Sequence, residues 1–225
     1  MSDKLTRKEL REDPVIAFFT ETYEWVETHS REVLIGLGAV VLLVVLGIFW
    51  QGQGRRNEEQ AAELLLRGKY QMMSGDYNGA LAAFKEIQQR YAGTPTAKRA
   101  LRDEADANFD MGKIPEAQKL YQKFADKVGI KDIEGRAGLT GVAACLEQQR
   151  QFDKAAEAYG RVADLPEGSD LTPMALWAQG RCWAQAGKFD KSEAAYQRIL
   201  SEHRTSRYAG PAREAIAEVK ARAAK

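Results

Sequence analysis

The sequence predicts an all-α protein: an amphipathic helix and one transmembrane helix, followed by an α-solenoid of about four helix pairs with a C-terminal capping helix. Three observations predict it. A ten-residue phrase occurs four times: GDYNGALAAF from Gly75, GKIPEAQKLY from Gly112, RQFDKAAEAY from Arg150 and GKFDKSEAAY from Gly187. The starts lie 37, 38 and 37 residues apart, and a steady period in this range marks a stacked helical array. Val33–Trp50, VLIGLGAVVLLVVLGIFW, runs 18 residues without a charge, the length at which a helix crosses hydrocarbon. Between Pro14 and His29, apolar residues recur at helical spacing.

Residues 1–32 divide into a charged tip, Met1–Glu12, and a helix that opens at Asp13-Pro14, with Asp as N-cap and Pro in the first turn. Ile16, Phe19, Tyr23 and Val26 form one stripe, widened by Val15, Phe18 and Trp25, while Glu21, Glu24 and Glu27 lie away from it. Anionic lipid repels a polar face made of Glu. Phe18, Phe19, Tyr23 and Trp25 are therefore candidates for contact with a partner at the membrane. A passive interfacial lead-in is the other reading, and it stays open.

Residues 33–50 are the expected span. Phe49 and Trp50 suit the interfacial aromatic belt, and Arg55 and Arg56 fall at headgroup depth. The 32 preceding residues, and the lack of an A-x-A-like site after the apolar run, predict an uncleaved anchor rather than a signal peptide. Orientation is not decided by charge. Lys4, Arg7, Lys8, Arg11 and Arg31 precede the span, and Arg55, Arg56, Arg67 and Lys69 follow it. Residues 51–56 read as a short linker, with Gln51–Gly54 a flexible joint.

Residues 57–225 hold the array. Gly75, Gly112 and Gly187 suit the left-handed residue that ends a helix, with Arg150 the one departure. Ala80, Ala117, Ala155 and Ser192 follow, then Phe84, Tyr121, Tyr159 and Tyr196 one turn later. Seven residues before each phrase stand Gly68, Ala105, Ala143 and Gly180, and four further back Leu64, Leu101, Leu139 and Leu176. Small residues on two facing helices let their axes approach, while Leu and the aromatic fill the space beside the contact. Each unit is thus an antiparallel pair, helix A then helix B. The units are Ala61–Arg90, Lys98–Val128, Gly135–Ala163 and Pro173–His203. A last helix at 208–223 has Ala212, Ala215, Ile216 and Val219 on one side and charges on the other, which suits a cap.

This order of Leu, small residue, turn Gly, Ala and aromatic resembles the tetratricopeptide repeat (TPR) over roughly residues 57–225. The period exceeds the family norm of about 34. The surplus falls between helix B and the next helix A, as at Tyr91–Thr96 and 166–172. In TPR proteins, binding occurs mostly on the concave surface lined by helix A. Carried over by period, that face would present Leu65, Lys69 and Met72, then Arg99, Arg102, Asp106 and Phe109, then Thr140 and Glu147, and finally Met174, Trp177 and Arg181. Lys69, Met72, Arg99, Arg102, Phe109, Trp177 and Arg181 are the candidate partner-binding residues, gripping an extended acidic peptide with apolar anchors between the cations. The competing reading makes Phe109 and Trp177 inter-repeat core.

The chemistry of catalysis is missing. His29 and His203 have no ligand companions at metal spacing, and no phosphate loop or nucleophile elbow appears. We expect no enzyme, metal or cofactor, and no small-molecule substrate. A net charge of +1 argues against a nucleic-acid partner. Cys145 and Cys182 lie at equivalent points of adjacent A helices. Buried core thiols are one reading; a disulfide or a redox role is the other.

The layout of a short tail, one span and a TPR array resembles the YfgM family of bacterial inner-membrane proteins, ancillary to the Sec translocon. More loosely, the loops resemble periplasmic TPR domains of the BamD and CpoB type. The resemblance implies a single-pass inner-membrane protein with its repeats in the periplasm. Its expected role is a chaperone-like scaffold for protein partners, a membrane complex or a translocating polypeptide. The alternative is an accessory structural subunit of a membrane complex, for example a respiratory one.

Overall fold

The computed structural model describes residues 14–165 and 171–224. Its described residues are helical with connecting turns: α1 (Pro14–Thr28), α2 (Ser30–Met73), α3 (Tyr77–Arg90), α4 (Pro95–Asp110), α5 (Ile114–Val128), α6 (Ile133–Gln148), α7 (Phe152–Ala163), α8 (Leu171–Gln185), α9 (Phe189–Glu202) and α10 (Ala209–Ala223). The expected tip, the Asp13 cap, the side chains of Val15, Ile16, Glu21 and Glu24, and loop residues 166–170 lie outside the described residues.

The chain divides into two compact units, Met1–Arg56 and Asn57–Lys225. In the first, Phe18, Phe19, Tyr23 and Trp25 of α1 are all more than half exposed. The Phe18 and Phe19 rings meet edge to face at 5.9 Å, and Trp25 stacks on His29 at 4.9 Å. The apolar window of α2 has a mean hydropathy of 2.9, and no part of it is buried. This helix is long and apolar enough to cross a membrane. Gln51–Gly54 differs from the expected joint: it is helical, within Ser30–Met73. A Gly inside a helix costs about 1 kcal/mol, but good helix formers on both sides propagate the hydrogen-bond ladder through such a stretch.

In the second unit, helix A of the first repeat is the C-terminal part of α2, and the pairs continue α3, α4–α5, α6–α7 and α8–α9. Every A-to-B connection is three residues, and it closes the same way each time. Gly75 N–H donates to Met72 O and Asp76 N–H to Gln71 O, at 3.1 and 2.8 Å. The same pair of bonds recurs at Gly112 and Lys113, at Arg150 and Gln151, and at Gly187 and Lys188. This is the Schellman closure, which requires a left-handed residue. Gly75, Gly112 and Gly187 have φ of 85°, 74° and 74°, and Arg150 adopts 58°.

The first two B-to-A connections are capped by side chains. Thr94 accepts from Ala97 N–H at 3.1 Å, and Asp132 from Glu134 N–H at 3.0 Å. Glu58 of α2 reaches the start of α4, accepting from the Thr96 hydroxyl at 2.7 Å and its N–H at 3.2 Å, where a helix N-terminus favours a carboxylate.

The core follows the expected columns. Leu101 and Leu176 are fully buried, and Leu139 packs on the cluster of Leu176, Tyr196 and Ile199. A Cβ at Gly68 would stand 2.5 Å from Phe84 Cε1, and one at Gly180 would stand 2.6 Å from Tyr196 Cε1. Ser192, the polar member of its column, is fully buried and donates to Gly180 O at 2.7 Å. The departure from Ala is thereby satisfied.

Candidate partner-binding surface

The A helices bring most of the expected surface residues into rows, joined by ion pairs between neighbouring repeats. Lys69 Nζ on α2 lies 3.2 Å from Asp103 Oδ2 on α4. Arg102 lies 3.4 Å from the other Asp103 oxygen and 4.0 Å from Asp106. Tyr121 O–H donates to Asp106 at 2.5 Å. Further along, Arg181 on α8 donates to Glu147 on α6 at 2.8 Å, and Tyr159 O–H reaches the same oxygen at 3.3 Å. Lys69, Arg102 and Arg181 therefore each face a carboxylate. Arg99 is exposed and has no ion pair among the described residues.

Apolar candidates divide between surface and core. Met72 is half-buried and packs on the first-repeat cluster of Leu65, Phe84 and Ile87. Leu65, expected on the inward face, is 8% exposed and belongs to that core. The period carried over from later repeats mapped it onto Arg102, but α2 turns this residue towards α3 and α4. Phe109 is half-buried against Ala105, Ala117, Tyr121 and Cys145. Trp177 is half-buried too, with its ring 5.1 Å from Tyr196 and 6.2 Å from Tyr208. Each of these aromatics thus shows one part to the core and one to solvent, which is how anchor residues at interfaces are commonly held.

Two carboxylates missing from the expected surface, Asp103 and Glu104, matter to it. Asp103 is 3% exposed, held between Lys69 and Arg102. Glu104 is buried, accepts from Gln88 Nε2, and has its carboxyl pushed above the usual range by that burial. Burial also raises Asp106, outweighing the Tyr121 hydrogen bond and the Arg102 charge. Their signal in the sequence was the run Asp103-Glu104-Ala105-Asp106, which brackets the small Ala105. Cys145 and Cys182 are free and fully buried, and burial lifts their thiols to about 11 and about 12. Such thiols are poor nucleophiles at neutral pH. Among the described residues, no group of three or more His, Cys, Asp or Glu stands together that could hold a metal.

The profile of the tetratricopeptide repeat-like domain matches residues 23–223. No curated protein matches the chain. Among solved structures, a tetratricopeptide repeat protein from Parabacteroides merdae superposes with a TM-score of 0.58 at 18% identity, over 73% of this chain and 61% of that one. This chain therefore spans less than two thirds of that relative. The TPR-like repeats of a putative kinesin light chain from Podosopora anserina give 0.55 at 15% identity, over 74% and 85%. BtubC from P. vanneervenii gives 0.57 at 14%, over 87% and 84%.

Proposed function

The chain belongs to the tetratricopeptide repeat-like domain family, and from that membership we propose a scaffold anchored by one membrane span, holding protein partners on the A-helix face. The family fold indicates protein–protein interaction. The anchor and the setting are our reading. The observation that carries it is the apolar window of α2, none of which is buried, on the same helix that supplies the first repeat. An uncovered apolar stretch of that length is costly in water and favourable in lipid. Six residues, 51–56, separate span from array. Whatever their conformation they reach at most ~20 Å, so clients would be met close to the bilayer.

The mixed-charge rows and the half-exposed Phe109, Trp177 and Met72 suit an extended polypeptide with alternating polar and apolar side chains. Resemblance in layout to the YfgM family supports an inner-membrane setting, with the array in the periplasm and work in translocation or envelope protein assembly. The exposed aromatic row of α1 supports a second reading, an accessory subunit packed sideways against a membrane complex.

Photo-crosslinking from positions 177 and 25 in intact cells tests both. Varied, substoichiometric periplasmic clients at position 177 are expected of the scaffold, and one stoichiometric membrane complex of the subunit. A chain released from membranes by alkaline carbonate would overturn the anchor. A reporter fused at the C-terminus that is active only in the cytoplasm would overturn the periplasmic orientation.

A further inference from the structure

The first repeat has an apolar edge that the later repeats lack. In the register of Gly68, Ala105, Ala143 and Gly180, the residue two places earlier is Leu66, Asp103, Gly141 and Ala178, and the residue two places later is Tyr70, Ala107, Cys145 and Cys182. In repeats two to four both columns are covered by the helix pair that comes before. Ala107, Cys145 and Cys182 are fully buried, and Asp103 and Ala178 nearly so. A Cβ at Gly141 would stand 2.5 Å from the Tyr121 ring of the preceding pair. In repeat one the same columns hold Leu66 and Tyr70, which are 71% and 72% exposed. Met73, one turn beyond, is 85% exposed where the later repeats have Asp110, Gln148 and Gln185. The three lie in line at i, i+4 and i+7.

We propose that this edge is a homodimer interface, in which Leu66, Tyr70 and Met73 of one copy pack on the same residues of a second. It continues an interface the chain already uses, since each later repeat packs these columns against a neighbour. The size of the side chains selects the occupant. Asp, Gly, Ala and Cys let a preceding repeat approach closely, whereas Leu and Tyr hold a neighbouring helix at the wide end of the ~8–10 Å range. A ridge of equally large side chains meets that spacing, and the second copy supplies one. The other end of the array does not, because the exposed face of α10 carries Arg213, Glu214, Glu218 and Arg222. Head-to-tail stacking is thus unmatched, and the contact closes as a two-fold pair. That the two helices run parallel rests on the anchored reading above, because both copies would enter from one membrane.

The test uses the full chain in mild detergent, with protein mass measured by light scattering. The expected result is twice the 25.1 kDa of one chain, falling to one chain in Leu66→Glu/Tyr70→Glu with unchanged helical circular dichroism. In membranes treated with a mild thiol oxidant, which takes up the two electrons, Met73→Cys should form a disulfide dimer, and the buried Cys145 and Cys182 leave position 73 as the reacting thiol. A monomeric wild type would overturn the proposal. So would a dimer that survives Leu66→Glu/Tyr70→Glu, which would move the contact elsewhere, or a Met73→Cys product joined to a different protein. A dimer sensitive to those substitutions but not cross-linked through Met73→Cys would overturn the parallel arrangement alone. A dimer of a chain that washes off membranes would keep this inference and sink the anchored scaffold.

Discussion

At the scale of single residues, one position breaks the rule that the other three repeats obey. Arg150 occupies the left-handed turn at φ 58°, where the equivalent residues are glycines. A side chain there costs ~1–2 kcal/mol of steric strain, partly offset by the smaller entropy an Arg loses on folding. Arg150→Gly should therefore stabilise the protein by about 1 kcal/mol, raising Tm by ~2–4 °C; an unchanged or lower Tm in calorimetry would contradict the strain argument. Glu104 is the second such residue. Burial raises its carboxyl above the usual range, against the pull of Lys85, Gln88 and Lys123. The native state then holds a proton that the unfolded chain has already released, so this group's contribution to stability is greatest below the unfolded value. It declines as pH rises through the native one. Glu104→Gln keeps an amide partner for Gln88 and cannot ionise. It should be more stable than wild type at pH 7.5, and the difference should vanish towards pH 4. Denaturant titrations at the two pH values check this, and a gain of equal size at both would rule out ionisation as its cause.

At the scale of elements, the helix pairs were legible because every column is a local constraint repeated four times. A left-handed turn residue, a small residue and an aromatic one turn on are each set by contacts within one hairpin. Gly68 carries this furthest: its missing Cβ is where the Phe84 ring lies. Gly68→Ala must push that ring aside, at a cost of ~1–3 kcal/mol, whereas repeats two and three already accept Ala at this column. A Tm as high as wild type for Gly68→Ala would mean the ring relaxes without cost. What was not legible lies between hairpins. That Lys69 meets Asp103, or Arg181 meets Glu147, depends on how adjacent A helices lie side by side, which no period within one repeat encodes. The pairing turns an expected basic groove into rows of alternating charge. The helix through Gly52 and Gly54 was missed for a different reason: composition marks glycine as flexible, whereas the flanking helix propagates through it.

At the scale of the whole array, stability is a sum of nearest-neighbour terms, because each repeat touches only those beside it in the chain. The cluster of Leu176, Tyr196 and Ile199 is closed on its far side by Ala212 and Val219 of α10, and the tilted rings of Trp177 and Tyr208 lie 6.2 Å apart at its rim. Val219 is 4% exposed, so Val219→Asp places a carboxylate where it has no partner, at a cost of ~3 kcal/mol or more. In a globular domain with one cooperative core that loss would be shared everywhere. In a linear stack it should fall on the last repeat first. Amide hydrogen exchange should therefore speed up in α10, α9 and α8, while α4 and α5 keep wild-type protection, since their own neighbours are untouched. The distinction is sharp because the two regions share no side-chain cluster: Phe84 and Ile87 belong to the first, and Ile199 and Val219 to the last. Uniform loss of protection from α4 to α10 would mean that the repeats melt as one unit, and the additive picture of the array would have to be given up.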